Sequence, residues 1–121
     1  MASRAVIANA LEAGGVRVAF TGKFAAPCAL IEAGDPWAAV DLSLRGGRRN
    51  ARWRITLVAG RADSEGALEA LAELVDKADA ALLPARVQLP TWAKPFDALL
   101  GNVPYAATVA TIQLLTEEAL P

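Results

Sequence analysis

The sequence predicts an α+β fold in which two helices pack on one face of a mostly antiparallel or mixed β-sheet, with all 121 residues forming a single domain. Three observations carry that prediction. Two segments, 4–13 and 63–83, repeat their apolar residues at helical spacing. The stretches around them alternate apolar and polar residues, or run apolar over strand length, and are rich in Val, Ile and Thr. Glycine and proline punctuate the chain at the joins and nowhere open a second composition regime, a repeat or a linker.

Taken in order, Ser3 is placed to cap a first helix whose apolar stripe is Val6, Ile7, Ala10 and Leu11, and Gly14-Gly15 end it. Residues 16–20 alternate as a short strand. The apolar run 26–32 reads as a second strand, which Pro27 confines to an edge or a strand start. Gly34-Asp35-Pro36-Trp37 reads as a turn, because proline fixes one dihedral and excludes helix before it. Strand 40–44 then leads through a hairpin loop, 45–50, into a return strand, 52–59. Alternation assigns Trp53, Ile55 and Leu57 to the core face of that strand and Arg52, Arg54 and Thr56 to the opposite face.

Gly60 breaks the return strand, and Asp63, Ser64 and Glu65 offer a cap and negative charge to the second helix. Its predicted buried stripe is Leu68, Leu71, Ala72, Val75, Ala78 and Leu82, and Pro84 terminates it. A short strand over 85–89, a proline-punctuated loop over 90–96 and a long strand over 105–115 complete the expected order. Residues 115–121 are expected to form a flexible tail.

Composition narrows the function. The net charge of −1 gives the whole protein no long-range attraction for nucleic acid or an acidic membrane. The chain has no histidine and one cysteine. That removes the usual general base, the commonest zinc ligand and the Ser-His-Asp and Cys-His nucleophilic systems. No catalytic, cofactor-binding or metal-binding residue is therefore assigned, and the expectation is a protein that is not an enzyme. Asp35 and Asp41 are the nearest thing to an acid pair, and turn capping and solvation account for them. Gly46-Gly47 has neither the spacing nor the following helix of a phosphate loop. Cys28 lies in an apolar setting and reads as a buried thiol. No apolar run is long enough to span a bilayer, and Asn9 and Glu12 interrupt the first apolar stretch as no secretory signal would. An apolar content of 55% fits either an alanine-rich composition or surface buried against other subunits.

What remains is recognition. Arg45, Arg48, Arg49, Arg52 and Arg54 put five arginines into ten residues. Arginine pairs bidentately with carboxylate or phosphate. The cluster fits a solubilising hairpin tip, a contact with an acidic surface of a neighbouring subunit, or a phosphate contact. Asp35 and Trp37 in the turn, and Trp92 and Phe96 beside prolines, are further interface candidates. The aromatic residues serve equally as plugs at the edge of the core.

The order of these segments carries a resemblance. A first helix, then Pro27-Cys28-Ala29-Leu30-Ile31, the Gly34-Asp35-Pro36-Trp37 segment and Arg52-Trp53-Arg54-Ile55-Thr56-Leu57-Val58 are followed by an acidic-start Ala/Leu helix and a strand with Tyr105-Ala106-Ala107-Thr108-Val109-Ala110-Thr111. Over nearly the whole chain this resembles the tail terminator (tail completion) proteins of long-tailed bacteriophages. The resemblance implies a structural virion protein without cofactor or catalytic activity, assembled in the host cytoplasm into a homohexameric ring at the head-proximal end of the tail. Such a ring ends elongation of the tube and offers an attachment surface to the head. The implied partners are other copies of the chain, the tail tube protein and a head-closure or neck protein, with genomic DNA passing through the lumen without sequence-specific binding and no membrane involved. A neighbouring neck protein, head-closure or adaptor, is the alternative within the same assembly. A small binding module using the arginine hairpin is the alternative outside it.

Overall fold

The computed structural model describes residues 4–19, 25–41, 48–85 and 90–113, with the backbone alone described for 35–41, 48–50 and 113. The elements are α1 (Arg4–Ala13), β1 (Val18–Ala19), β2 (Cys28–Asp41), β3 (Arg48–Arg61), α2 (Ala67–Leu82), a 3-10 turn (Leu83–Ala85), β4 (Phe96–Leu100) and β5 (Val103–Gln113). The strands form one mixed sheet in the order β1-β2-β3-β5-β4. Among the described residues the β1–β2 pair is parallel and the β2–β3, β3–β5 and β4–β5 pairs are antiparallel. The α+β architecture is the one the sequence predicts.

Both helices pack on one face of the sheet. Ile7 and Leu11 of α1 and Leu71, Leu74, Ala78 and Leu82 of α2 join Ala29, Ile31, Ile55, Leu57 and Ile112 in one buried cluster. Each large aliphatic side chain buried this way contributes about 1.5–3 kcal/mol. Trp53 is half-buried against the same cluster, so the assignment of Trp53, Ile55 and Leu57 to the core face holds. Arg4 Nε donates to the Ile31 carbonyl at 3.3 Å and ties the start of α1 to β2.

The end of α1 has a specific geometry. Gly15 takes φ +88°, the Val16 N–H donates to Leu11 O at 2.9 Å and the Gly15 N–H to Glu12 O at 3.1 Å. This is a Schellman cap, closed by the buried pair Leu11 and Val16. Gly14 beside it lets α1 touch α2, since a Cβ there would overlap the Cβ of Ala81 and stand 3.0 Å from its Cα.

Several boundaries differ from expectation. The Gly34-Asp35-Pro36-Trp37 segment is no turn: it lies inside β2, where the register slips between Ala33 and Ala38. Ala33 pairs Trp53 and Ala38 pairs Ala51, so these four residues stand opposite Arg52 alone. Pro36 has no N–H to give the ladder, so a regular register fails there. Arg48, Arg49 and Asn50 belong to β3 and not to the hairpin loop.

Asp63, Ser64 and Glu65 do not cap α2. Its N-cap is Gly66 at φ +79° with no side-chain cap bond, and Asp63 instead pairs with Arg61 at 3.4 Å. The buried side of α2 is also rotated from the expected stripe. Ala67, Leu74 and Ala81 are buried, whereas Leu68 is 61% exposed and Ala72 faces outward. α2 packs against α1 as well as the sheet, and that second contact draws in Ala81 and Leu74.

Phe96 opens β4 and is not a loop residue. The β4–β5 hairpin turns at Gly101-Asn102, both at positive φ, the conformation that a two-residue hairpin turn demands. Residues 86–89 of the expected strand, and the tail 115–121, lie outside the described residues.

Gly14→Ala is expected to destabilise the fold by about 1–3 kcal/mol, since it overpacks the α1–α2 contact against backbone. Adding Ala81→Gly should recover part of that loss, so the two substitutions together cost less than their sum in urea titrations. An additive result would mean that the helices do not meet there.

Candidate functional site

Two features place the candidate residues. The first is a ribbon. β2 and β3 each run for 14 residues. Among the described residues β5 accompanies β3 as far as Arg52, which it meets at Gln113. Among the described residues, Ala38–Asp41 and Arg48–Ala51 therefore pair with each other and with no third strand. Four residues per strand make this paired ribbon about 13 Å long. Its register sets Asp41 opposite Arg48 and Val40 opposite Arg49. Arg45 lies outside the described residues, within the segment that joins the two strands.

Gly34 sits at the register slip where the ribbon begins. It is buried, and a Cβ there would come to 3.0 Å from both the Cβ and the carbonyl oxygen of Arg52. Glycine at 34 thus allows β2 to stay against β3 while the register slips. Asp35 and Trp37 share this irregular stretch. The structure brings Asp35, Trp37 and Arg52 together at the base of the ribbon, and Arg48 and Arg49 along it.

The second feature is the sheet face away from the helices. Cys28, Leu30, Val58 and Ala107 form a second buried cluster there, with Tyr105, Ala98 and Leu100 packed against it. Beside it runs an open groove of about 270 Å³, with Leu30, Thr56, Val58 and Val109 in its floor and Phe96, Ala98 and Leu100 along one side. Phe96 is 42% exposed. At the other end Arg54 Nη2 donates to Glu32 Oε2 at 3.3 Å, both side chains about half exposed. An exposed pair of this kind contributes roughly 0.2–1 kcal/mol and falls with salt. Arg54 and Phe96 thus share one groove, which sequence reasoning did not foresee. It also missed Glu32 and the apolar floor. The signal was the run Cys28-Ala29-Leu30-Ile31, apolar on both strand faces, which marks a strand covered on both sides.

Trp92 goes elsewhere. It packs against the helix-side core, and its indole N–H donates to Asp79 Oδ1 at 2.9 Å. Around it the loop is fastened to β5: Thr108 Oγ1 donates to Ala93 O at 2.6 Å, and the Ala93 N–H to Val109 O at 2.9 Å. Trp92 is thus a prop between α2 and the sheet. It also closes one end of a shallow apolar groove of about 200 Å³ that includes Leu68, Ala72, Val75 and Pro95.

The chemistry on offer is contact chemistry. Burial pushes the Cys28 thiol up, partly offset by the Arg17 guanidinium, so the reactive thiolate is suppressed. Among the described residues no group of three or more His, Cys, Asp or Glu side chains could hold a metal ion. Among the same residues no helix is long and apolar enough to cross a membrane.

Trp92→Phe keeps the ring and drops the donor, so it should cost about 1 kcal/mol, while Asp79→Asn, which keeps an acceptor, should cost less. An unchanged urea midpoint for Trp92→Phe would show that the bond contributes nothing. Cys28 should resist thiol reagents in the native protein and react on unfolding. Because its folded pKa is raised, its contribution is complete below the ordinary thiol value of about 8.5 and is lost as pH rises beyond it. Cys28→Ala should therefore flatten the alkaline fall in stability.

No protein-family model matches this chain, and no curated protein sequence is significantly similar to it.

Proposed function

We propose that this protein is a structural subunit of a phage tail, a terminator that closes into a homohexameric ring on the head-proximal end of the tail tube. The observation that carries the reading is the ribbon formed by Ala38–Asp41 and Arg48–Ala51. Arg48 and Arg49 stand at adjacent positions of that stretch, opposite Asp41 and Val40 of β2, and arginine pairs bidentately with carboxylates of another protein surface. Between Asp41 and Ala51 the sequence holds Arg45, Arg48 and Arg49 and no acidic residue. A neighbouring subunit, the tube or the neck protein is the surface it would reach, and an acidic or hydrogen-bonding one would suit it.

Two further features support an assembly role. The groove bearing Phe96, Glu32 and Arg54 lies on the opposite sheet face from the groove beside Trp92 and Leu68. Unlike surfaces on different sides of one small domain suit heterologous contacts, which close into a ring when the rotation between subunits allows it. The reading places the protein in the virion, with DNA passing through the lumen by non-specific contact. It assigns no catalysis and no cofactor.

Native mass spectrometry and negative-stain microscopy test this directly. The expected result is a hexamer, alone or when mixed with tail tubes, with rings at tube ends and tubes that stop growing when the protein is added. In a phage lacking it, tails should run to uncontrolled length and fail to join heads. A strictly monomeric protein at high concentration, with no density on tube ends, would overturn the reading. Binding to the portal side of the head, with no presence on isolated tails, would move the protein to the neck.

A further inference from the structure

We propose that the outer edge of β4 pairs with the same edge of a second copy of this chain, antiparallel and centred on Ala98, so that one sheet runs through both subunits. β4 is the last strand of the sheet, bonded to β5 and, among the described residues, to no strand on its other side. Its side chains show that this edge is uncovered. Leu99 is 73% exposed, Phe96 is 42% exposed, and Asp97 between them is exposed as well.

The hairpin fixes which backbone groups face out. Leu100 and Val103 flank the two-residue turn Gly101-Asn102, so they exchange both hydrogen bonds, and Ala98↔Tyr105 and Phe96↔Ala107 repeat that pattern at alternate steps. Asp97 and Leu99 therefore turn their N–H and C=O groups away from β5. Pro104, opposite Leu99, agrees: its carbonyl accepts from the Ala62 N–H, on the side away from β4. Sheet edges are commonly guarded by lysine, proline or a bulge. The five residues of β4, Phe96-Asp97-Ala98-Leu99-Leu100, hold no lysine or proline and pair with β5 without a slip.

The strand is self-complementary in one register. Centring the pair on Ala98 sets Asp97 opposite the partner's Leu99 and Phe96 opposite the partner's Leu100, each twice by symmetry. Asp97 and Leu99 are the outward-facing residues, so each such pair exchanges two backbone bonds. Apolar residues meet at the flanks, the smallest side chain sits on the axis, and the two aspartates stand apart. Centring on Asp97 would oppose like charges, and centring on Leu99 would carry Phe96 past the strand to Asn102. Five residues per strand bury far less than a standard interface, so the association is weak and follows concentration. A two-fold contact closes at two copies, so this proposal does not rest on the ring reading.

Sedimentation velocity and amide exchange followed by NMR test it on the full chain. A monomer–dimer equilibrium is expected. As concentration rises, the amides of Asp97 and Leu99 should slow about tenfold, while those of Ala98 and Leu100, already bonded to β5, stay unchanged. A chain that stays monomeric at millimolar concentration, or Asp97 and Leu99 amides indifferent to concentration, would overturn the proposal. Leu99→Glu sets a carboxylate opposite the partner's Asp97 and should weaken the dimer about tenfold. Adding Asp97→Lys restores opposite charges across the pair and should recover it. Both positions are exposed, so the fold should survive, and an unchanged thermal midpoint checks that it does. Failure of either step also overturns the pairing. A ring that forms while the Asp97 and Leu99 amides stay unprotected would overturn this proposal and leave the ring reading intact. A two-fold dimer with no ring would do the reverse.

Discussion

The pairing of β2 with β3 is the constraint on which the rest of the structure depends. β3 is the only strand hydrogen-bonded on one side to β2 and on the other to β5, so both halves of the sheet are joined through it. Its alternation decides what each face becomes. Trp53, Ile55 and Leu57 meet the helices, and Arg54, Thr56 and Val58 form the opposite face. A one-residue slip of β3 would exchange these sets and place arginines beneath α2, which charge burial forbids. Between β2 and β3 the register is held from Cys28 to Ala33 and slips at Arg52, where β2 inserts Gly34 to Trp37. Beyond that point, among the described residues, β2 and β3 pair with each other out to Asp41 and Arg48.

Much of this was legible in the sequence, and the parts that were not share a cause. The C-terminal end of α1 was readable to the residue because a strong local stop, Gly14-Gly15, coincides with the end of its apolar stripe, while the expected Ser3 cap lies outside the described residues. The core face of β3 was readable because strict alternation leaves little choice. The Gly34–Trp37 stretch has the composition of a turn, and tertiary pairing overrode it, since both flanks of β2 find partners on β3. The N-cap of α2 was misread because Asp63 has a nearer use in pairing with Arg61. The rotation of α2 could not be read from one helix, as Leu68, Leu71, Leu74, Val75 and Leu82 offer two adjacent stripes and only the position of α1 chooses between them. The β4–β5 hairpin did carry a signal, Gly101-Asn102 between apolar residues, which went unused.

The candidate residues divide along the same line. Arg48, Arg49 and Arg52 stood together in the sequence and remain together on one strand. Trp92 carried two readings, a plug at the edge of the core and an interface anchor. Its bond to Asp79 and its place against the core agree with the plug. Phe96 moved the other way, from loop residue to a half-open position in a groove shared with Arg54. Such regroupings need the strand order, which places β5 between β3 and β4 although α2 separates them in sequence.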